Sequence, residues 1–174
     1  MIELKDIRYA RLGTADLEDA ISFATDFLGL EVAERTGKSV YFKSDDRDHT
    51  LCYFEGDPAD QTVAFELRDR SELQEAATTL EGLGHKVEAG TAEECELRKV
   101  REFIRFRDPT GNRIELVIRP FHSGRRYHGT RDAGVTGFSH VGLCTTDAAR
   151  DELFWTQVCN AQVSDRIGDA PLLR

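Results

Sequence analysis

"GFSHVGLCTTD", residues 137–147, has the form of an opening. It offers a glycine, a short apolar run with one histidine, and an aspartate placed to cap a helix. Only 27 residues follow Asp147, so a unit that starts this late invites a search for an earlier copy. Sliding the sequence by 131 residues lays "RYARLGTADLEDAISFATDFLGLEVAERTG" (8–37) on "SHVGLCTTDAARDELFWTQVCNAQVSDRIG" (139–168) without a gap. Eight pairs are identical: Leu12/Leu143, Thr14/Thr145, Asp16/Asp147, Phe23/Phe154, Thr25/Thr156, Val32/Val163, Arg35/Arg166 and Gly37/Gly168. Average composition alone gives about two. The chain therefore carries an internal repeat, which marks a fold built from like units.

A shift of 55 finds a weaker copy between them, with Leu12 on Leu67, Leu28 on Leu83, Gly29 on Gly84 and Val32 on Val87. Each copy reads as strand, helix and further strands. In the first, "IRYARLG" is a strand and Asp16 caps a helix. Leu17, Ala20, Ile21, Ala24, Phe27 and Leu28 form its apolar stripe, and "SVYFKS" and "TLCYFEG" follow as strands. In the second, "TVAFELR" is the strand and Ser71 with Gln74 suggests a capping box. Leu73, Ala76, Ala77, Leu80 and Leu83 form the stripe, and Gly84 stops the helix. "REFIRFRDPTGNRIELVIRP" is then a hairpin turning at Pro109, Gly111 and Asn112. Alternation puts Ile114, Leu116 and Ile118 on one face and Arg113, Glu115 and Val117 on the other. The third copy predicts a strand over 138–144, a helix over about 147–160 and a strand over 162–167, and it runs out at "APLLR". The expected fold class is α+β, with tandem β-α-β-β-β modules. The expected domains are 1–119 with two modules, a linker over 120–136, and 137–174 as an incomplete third module.

Bulk properties narrow the function. The net charge of −9 argues against nucleic acid or an anionic membrane as partner, since a phosphate-binding surface needs clustered cations. The basic run "SGRRYHGTR" (123–131) reads as a solvated linker. The N-terminus has no apolar run of signal-peptide or membrane-span length, so a cytoplasmic location is expected. Cys52, Cys95, Cys144 and Cys159 show no paired spacing, and Cys52 and Cys144 read as core thiols.

The repeated modules, with "DPTGNRIEL" late in an even copy and "GFSHVGLCTTD" opening the third, resemble the vicinal oxygen chelate superfamily. That group contains glyoxalase I, bleomycin- and fosfomycin-resistance proteins, and type I extradiol ring-cleavage dioxygenases. Two modules, a linker and a new strand beginning "FSHVGL" look most like the dioxygenases. The resemblance implies a metal-free N-terminal domain and a catalytic domain built from modules three and four. It implies iron(II), with manganese(II) as the alternative, held by two histidines and one glutamate. Such a set leaves open positions where a catecholic diol and dioxygen meet. The first histidine matches His140. The remaining ligands and catalytic groups belong to a fourth module, beyond Arg174. A catechol-like substrate, dioxygen and a homo-oligomeric assembly are further expectations. Two competing readings are a non-catalytic binding or resistance-type protein and a glyoxalase-like lyase or isomerase.

Residue by residue, Tyr9 and Ala64 occupy the position of His140 in modules one and two, and neither residue is a ligand expected there. Glu115 falls where active even modules place a metal carboxylate. Without histidine partners it reads as structural, paired with Arg105 or Arg107. His122 and His128 read as exposed linker residues, and His49 and His85 as exposed. "DDRD" (45–48) lacks the spacing of a calcium loop and reads as a hairpin loop. Phe103, Phe106 and Tyr53 read as core or cup lining.

Overall fold

A computed structural model describes all 174 residues, and the chain is α+β. Module one runs β1 (Asp6–Thr14), α1 (Leu17–Ser22), β2 (Glu31–Arg35), β3 (Ser39–Lys43) and β4 (Leu51–Glu55). Module two runs β5 (Gln61–Glu66), α2 (Arg70–Gly82), β6 (Glu88–Ala89), α3 (Ala92–Arg98), β7 (Val100–Arg107) and β8 (Arg113–Pro120). Module three supplies α4 (Ala148–Leu153), β9 (Val163–Ile167) and β10 (Ala170–Leu173). No helix is long and apolar enough to cross a membrane.

The chain divides into two compact units. One comprises Ile7–Ala64 and Pro120–His140. Its strands follow the order β2-β3-β4-β1-β5, with β1 and β4 parallel and β2-β3 and β3-β4 antiparallel. Leu17 and Ala24 of the helix bury against Val40 and Phe42 of β3. The basic run packs here rather than standing free. The Arg125 carbonyl accepts from Lys43 Nζ at 3.1 Å, and the Tyr127 amide donates to Asp46 Oδ1 at 3.0 Å. Thr130 Oγ1 donates to the Gly29 carbonyl at 2.5 Å. Gly29 has φ +72°, and a Cβ there would lie 3.1 Å from the Arg131 side chain, so the site suits glycine on both counts.

The other unit comprises Met1–Asp6, Phe65–Arg119 and Val141–Arg174. Here the strand order is β8-β7-β6. Leu73, Ala76 and Leu80 of α2 bury against Ile104, Phe106, Ile114, Leu116 and Ile118, so the hairpin faces divide as the alternation predicts. The hairpin turn is held by Asp108, whose Oδ1 accepts from the amides of Gly111 and Asn112 at 2.8 Å. The α2 cap is Asp69, not Ser71. Asp69 Oδ1 accepts from the Ser71 and Glu72 amides, and the helix starts two residues earlier than a Ser71 cap would place it. Helix α3 is absent from the sequence reading, although Thr91 and Glu94 form a complete capping box at its start.

Module three belongs to this second unit from Val141 onward. Phe154, Trp155 and Cys159 join the α2 core. Each fully buried large apolar side chain contributes about 1.5–3 kcal/mol. Burial pushes the Cys159 thiol up to about 12, leaving it inert. Two expectations change. No strand forms over 138–144, and Cys144 is exposed rather than core. In module one the matching strand β1 is held by the parallel β4. No strand pairs with residues 138–144, so they form no ladder. Conversely, "APLLR" does not run out: Ala170–Leu173 is β10 and pairs antiparallel with β9.

The repeat holds in atomic detail where module three is ordered by its own contacts. Asp16 caps through the Asp19 amide at 3.0 Å, and Asp147 through the Arg150 amide at 3.1 Å. Both helices end in a π-helical turn, Phe23–Phe27 and Phe154–Val158. In both, a threonine hydroxyl donates to the carbonyl four residues back, Thr25 to Ile21 and Thr156 to Glu152.

Candidate functional site

His140 is exposed and lies outside any strand. Its Nδ1 is 3.0 Å from the Ser139 hydroxyl. The chain just before it is tied to the β3–β4 loop. The Phe138 amide donates to Asp45 Oδ2 at 3.2 Å, and Arg47 donates to the Phe138 carbonyl at 3.4 Å. The "DDRD" segment is thus a loop held by its own Asp45–Arg47 pair. No group of three or more His, Cys, Asp or Glu side chains anywhere in the chain is arranged to hold a metal ion.

The module-one counterpart, Tyr9, is fully buried on β1. Its ring stacks on His49 at 5.1 Å, and Tyr41 of β3 meets the same imidazole edge-on at 5.1 Å. Arg11, two residues along β1, reaches Cys52 Sγ at 3.6 Å and lies 4.8 Å from the Phe54 ring centre. His49 is therefore not the exposed residue that its charged neighbours suggest; it is 3% exposed. The local sequence is polar, but the side chain inserts between aromatic rings from two strands.

Desolvation by that burial lowers the His49 pKa below the ordinary histidine value, against the pull of Asp48, whose Oδ2 is 3.3 Å from Nδ1. Arg8 and Arg11 push in the same direction as burial. The unfolded chain therefore takes up a proton at His49 more readily than the folded one. The stability His49 contributes is complete above about pH 6.5 and is lost as the pH falls below it. His49→Phe keeps a ring between the tyrosines and removes the titration. Melting temperatures measured from pH 8 to pH 5 should fall less steeply in this variant. An unchanged acid-side slope would assign the loss to other groups.

In module two, Ala64 at the corresponding position is fully buried and offers no donor atom. Glu115 is 1% exposed. Its partner is neither Arg105 nor Arg107. Arg105 bonds Glu88 and Glu94, and Arg107 donates to the Gly111 carbonyl. Instead Arg98, the last residue of α3, places Nε and Nη2 each 2.8 Å from Glu115 Oε1. The guanidinium also lies 4.4 Å from the centre of the Phe103 ring. The structural reading of Glu115 stands, with a partner from a helix that the sequence reading lacks. The Thr91–Glu94 capping box was the available signal for it.

The remaining histidines separate. His122 and His128 are exposed as expected. His85 is half-buried, with Nδ1 2.9 Å from the Arg107 carbonyl and its ring against Phe106 and Phe154. Phe103 and Phe106 are buried and Tyr53 packs on the module-one core, as read.

A model of the glyoxalase/bleomycin resistance protein/dioxygenase superfamily matches residues 6–116. An iron-dependent extradiol dioxygenase of Rhodococcus jostii (strain RHA1) is 28% identical over 178 residues, covering 99% of this chain and 59% of that protein. Biphenyl-2,3-diol 1,2-dioxygenase of Paraburkholderia xenovorans (strain LB400) is 28% identical over 174 residues, covering 95% of this chain and 58% of that protein. Among solved structures, BphC, a halotolerant catechol dioxygenase, matches with a TM-score of 0.82 at 22% identity, over 95% of this chain and 58% of its own. The Mn(II)-bound glyoxalase from Novosphingobium aromaticivorans gives 0.84 at 23% identity, over 98% and 58%. At such identities these structures speak for the fold. The chain spans about three fifths of the length of the curated relatives it matches.

Proposed function

The chain belongs to the glyoxalase/bleomycin resistance protein/dioxygenase superfamily, and from that premise we propose that it forms part of an extradiol ring-cleavage dioxygenase. One observation supports the choice within the superfamily. The sequence likeness to the Rhodococcus dioxygenase covers 99% of the chain, through the third module, where a two-module binding or resistance protein accounts for nothing after the linker; the glyoxalase neighbour also spans the third module, but at 23% identity it speaks for the fold alone.

The proposed substrate is a catechol-like aromatic diol, cleaved with dioxygen, in a cytoplasmic and homo-oligomeric enzyme. The proposed division is 1–119 as a metal-free domain of two modules, 120–136 as linker, and 137–174 as the start of the catalytic domain. The proposed metal is iron(II), with manganese(II) as the alternative, and the proposed ligand on this chain is His140. The 174 residues by themselves do not fit that metal. A facial site needs three protein ligands, and no three candidate side chains converge here. The other two ligands would come from a fourth module.

The test compares two proteins. The 174-residue chain should retain no stoichiometric iron by elemental analysis and consume no oxygen with catechol or 2,3-dihydroxybiphenyl. A chain continued through a fourth module should hold about one iron and consume oxygen with one of these diols. One tightly held iron in the short chain contradicts the incomplete site. No oxygen uptake by an iron-loaded long chain contradicts the dioxygenase reading.

A further inference from the structure

Module one serves as an internal control for module three, since the two helices share cap, π turn and threonine back-bond. Whatever module three adds is not needed to make that helix. It adds Asp151 where module one has Ala20, Arg150 where it has Asp19, Thr146 where it has Ala15, and Trp155 where it has Ala24. These additions turn toward module two. Asp151 is a carboxylate only 7% exposed. It accepts a hydrogen bond from the Thr110 hydroxyl, one from Thr145 Oγ1 at 2.5 Å and one from Arg150 Nη2 at 2.8 Å. Thr110 sits in the "DPTGN" turn between β7 and β8. Its oxygen also accepts from the Thr146 amide at 3.0 Å and from Arg150 Nη2 at 2.8 Å. Next to it, Asn112 Nδ2 donates to the Cys144 carbonyl at 2.8 Å, while Asp108 holds the same amide group from behind at 2.7 Å.

Apolar contacts on the same helix complete the join. Phe154 meets Phe106 at 6.1 Å and His85 at 5.3 Å, and Trp155 meets Phe65 at 5.4 Å. The module-one equivalent of Phe154, Phe23, is 47% exposed, whereas Phe154 is 6% exposed. One repeated aromatic has found a partner surface and the other has not.

We infer that the 108–112 turn of module two is a receptor for the head of the module-three helix, and that the Thr110–Asp151 hydrogen bond is its lock. The partner this surface fits is residues 144–158 of the same chain. Thr145 and Arg150 bond Asp151 from its own module, and the Thr110 hydroxyl is the donor that module two supplies; a buried carboxylate left one donor short is costly, so docking is favoured when Thr110 is in register with Asp151. The aromatic contacts supply attraction and the lock supplies position. The hairpin turn thus has a second role besides reversing the chain.

Hydrogen exchange on the intact 174-residue chain tests this. In Thr110→Val, amides of 148–158 should exchange about tenfold faster, while those of 17–27 in the other unit keep their rates. Thr110→Ser, which keeps the hydroxyl, should restore the slow rate. Asp151→Asn, which keeps the shape and removes the charge, should speed the same helix. Thr110→Val added to Asp151→Ala should add little to Asp151→Ala alone, because the two share one interaction. The inference fails if 148–158 keeps its rates in both Thr110→Val and Asp151→Asn. It also fails if Thr110→Ser exchanges as fast as Thr110→Val, or if 17–27 accelerates equally.

Discussion

His140→Ala, placed in a chain continued through a fourth module, should abolish ring cleavage and strip the iron. Loss of a group that merely orients a metal ligand costs about 10–100-fold in affinity or activity. Loss of one of three ligands must exceed that, so a fall of at least about a thousandfold is expected. The same substitution in the 174-residue chain should change stability by less than about 0.5 kcal/mol, because His140 is exposed and outside the strand ladders. The two measurements separate ligand from scaffold. Oxygen uptake with an aromatic diol and iron content report the first, and urea denaturation reports the second. A long-chain variant that keeps iron and activity removes His140 from the site. A short-chain variant that loses more than about 2 kcal/mol makes His140 a structural residue instead.

The placement of His140 also shows what a sequence can and cannot specify. The 131-residue repeat was legible because its identities are local devices. Asp16 and Asp147 each cap their own helix, and Thr25 and Thr156 each bond a carbonyl one turn back. Such features need no distant partner. "FSHVGLC" reads as a strand, but a strand exists only in a ladder, and its module-one counterpart β1 lies in one between β4 and β5. The strand expected over 138–144 is absent. His49 shows the converse error. Its neighbours in sequence are charged, and its neighbours in space are Tyr9 and Tyr41. The π turns escaped because a helical stripe of 3.6-residue period does not register one widened turn. Helix α3 escaped although its capping box is explicit, since seven residues are too few for a stripe to declare itself.

Arg98→Ala should be among the most destabilising single changes in the chain, at about 3–5 kcal/mol by urea denaturation. Glu115 is buried with its Oε1 bonded by both Nε and Nη2 of Arg98. Removing the guanidinium withdraws the matched cation from a carboxylate that water does not reach. It also removes the cation stacked on Phe103, a contact of about 0.5–2 kcal/mol. The cost comes from breaking the pair, not from lacking it. Arg98→Met with Glu115→Met replaces both charges by apolar groups of comparable length, and should recover most of the loss. A single Arg98→Ala costing under about 1 kcal/mol would show that other contacts of Glu115 suffice. A double variant as unstable as the single would show that packing, not charge, is at stake. The pair also bears on the chemistry of module two. The resemblance to the superfamily implies that Glu115 falls where active even modules present a carboxylate to a metal, and in this chain a guanidinium from α3 bonds it. A metal ion at that carboxylate would have to displace Arg98 first.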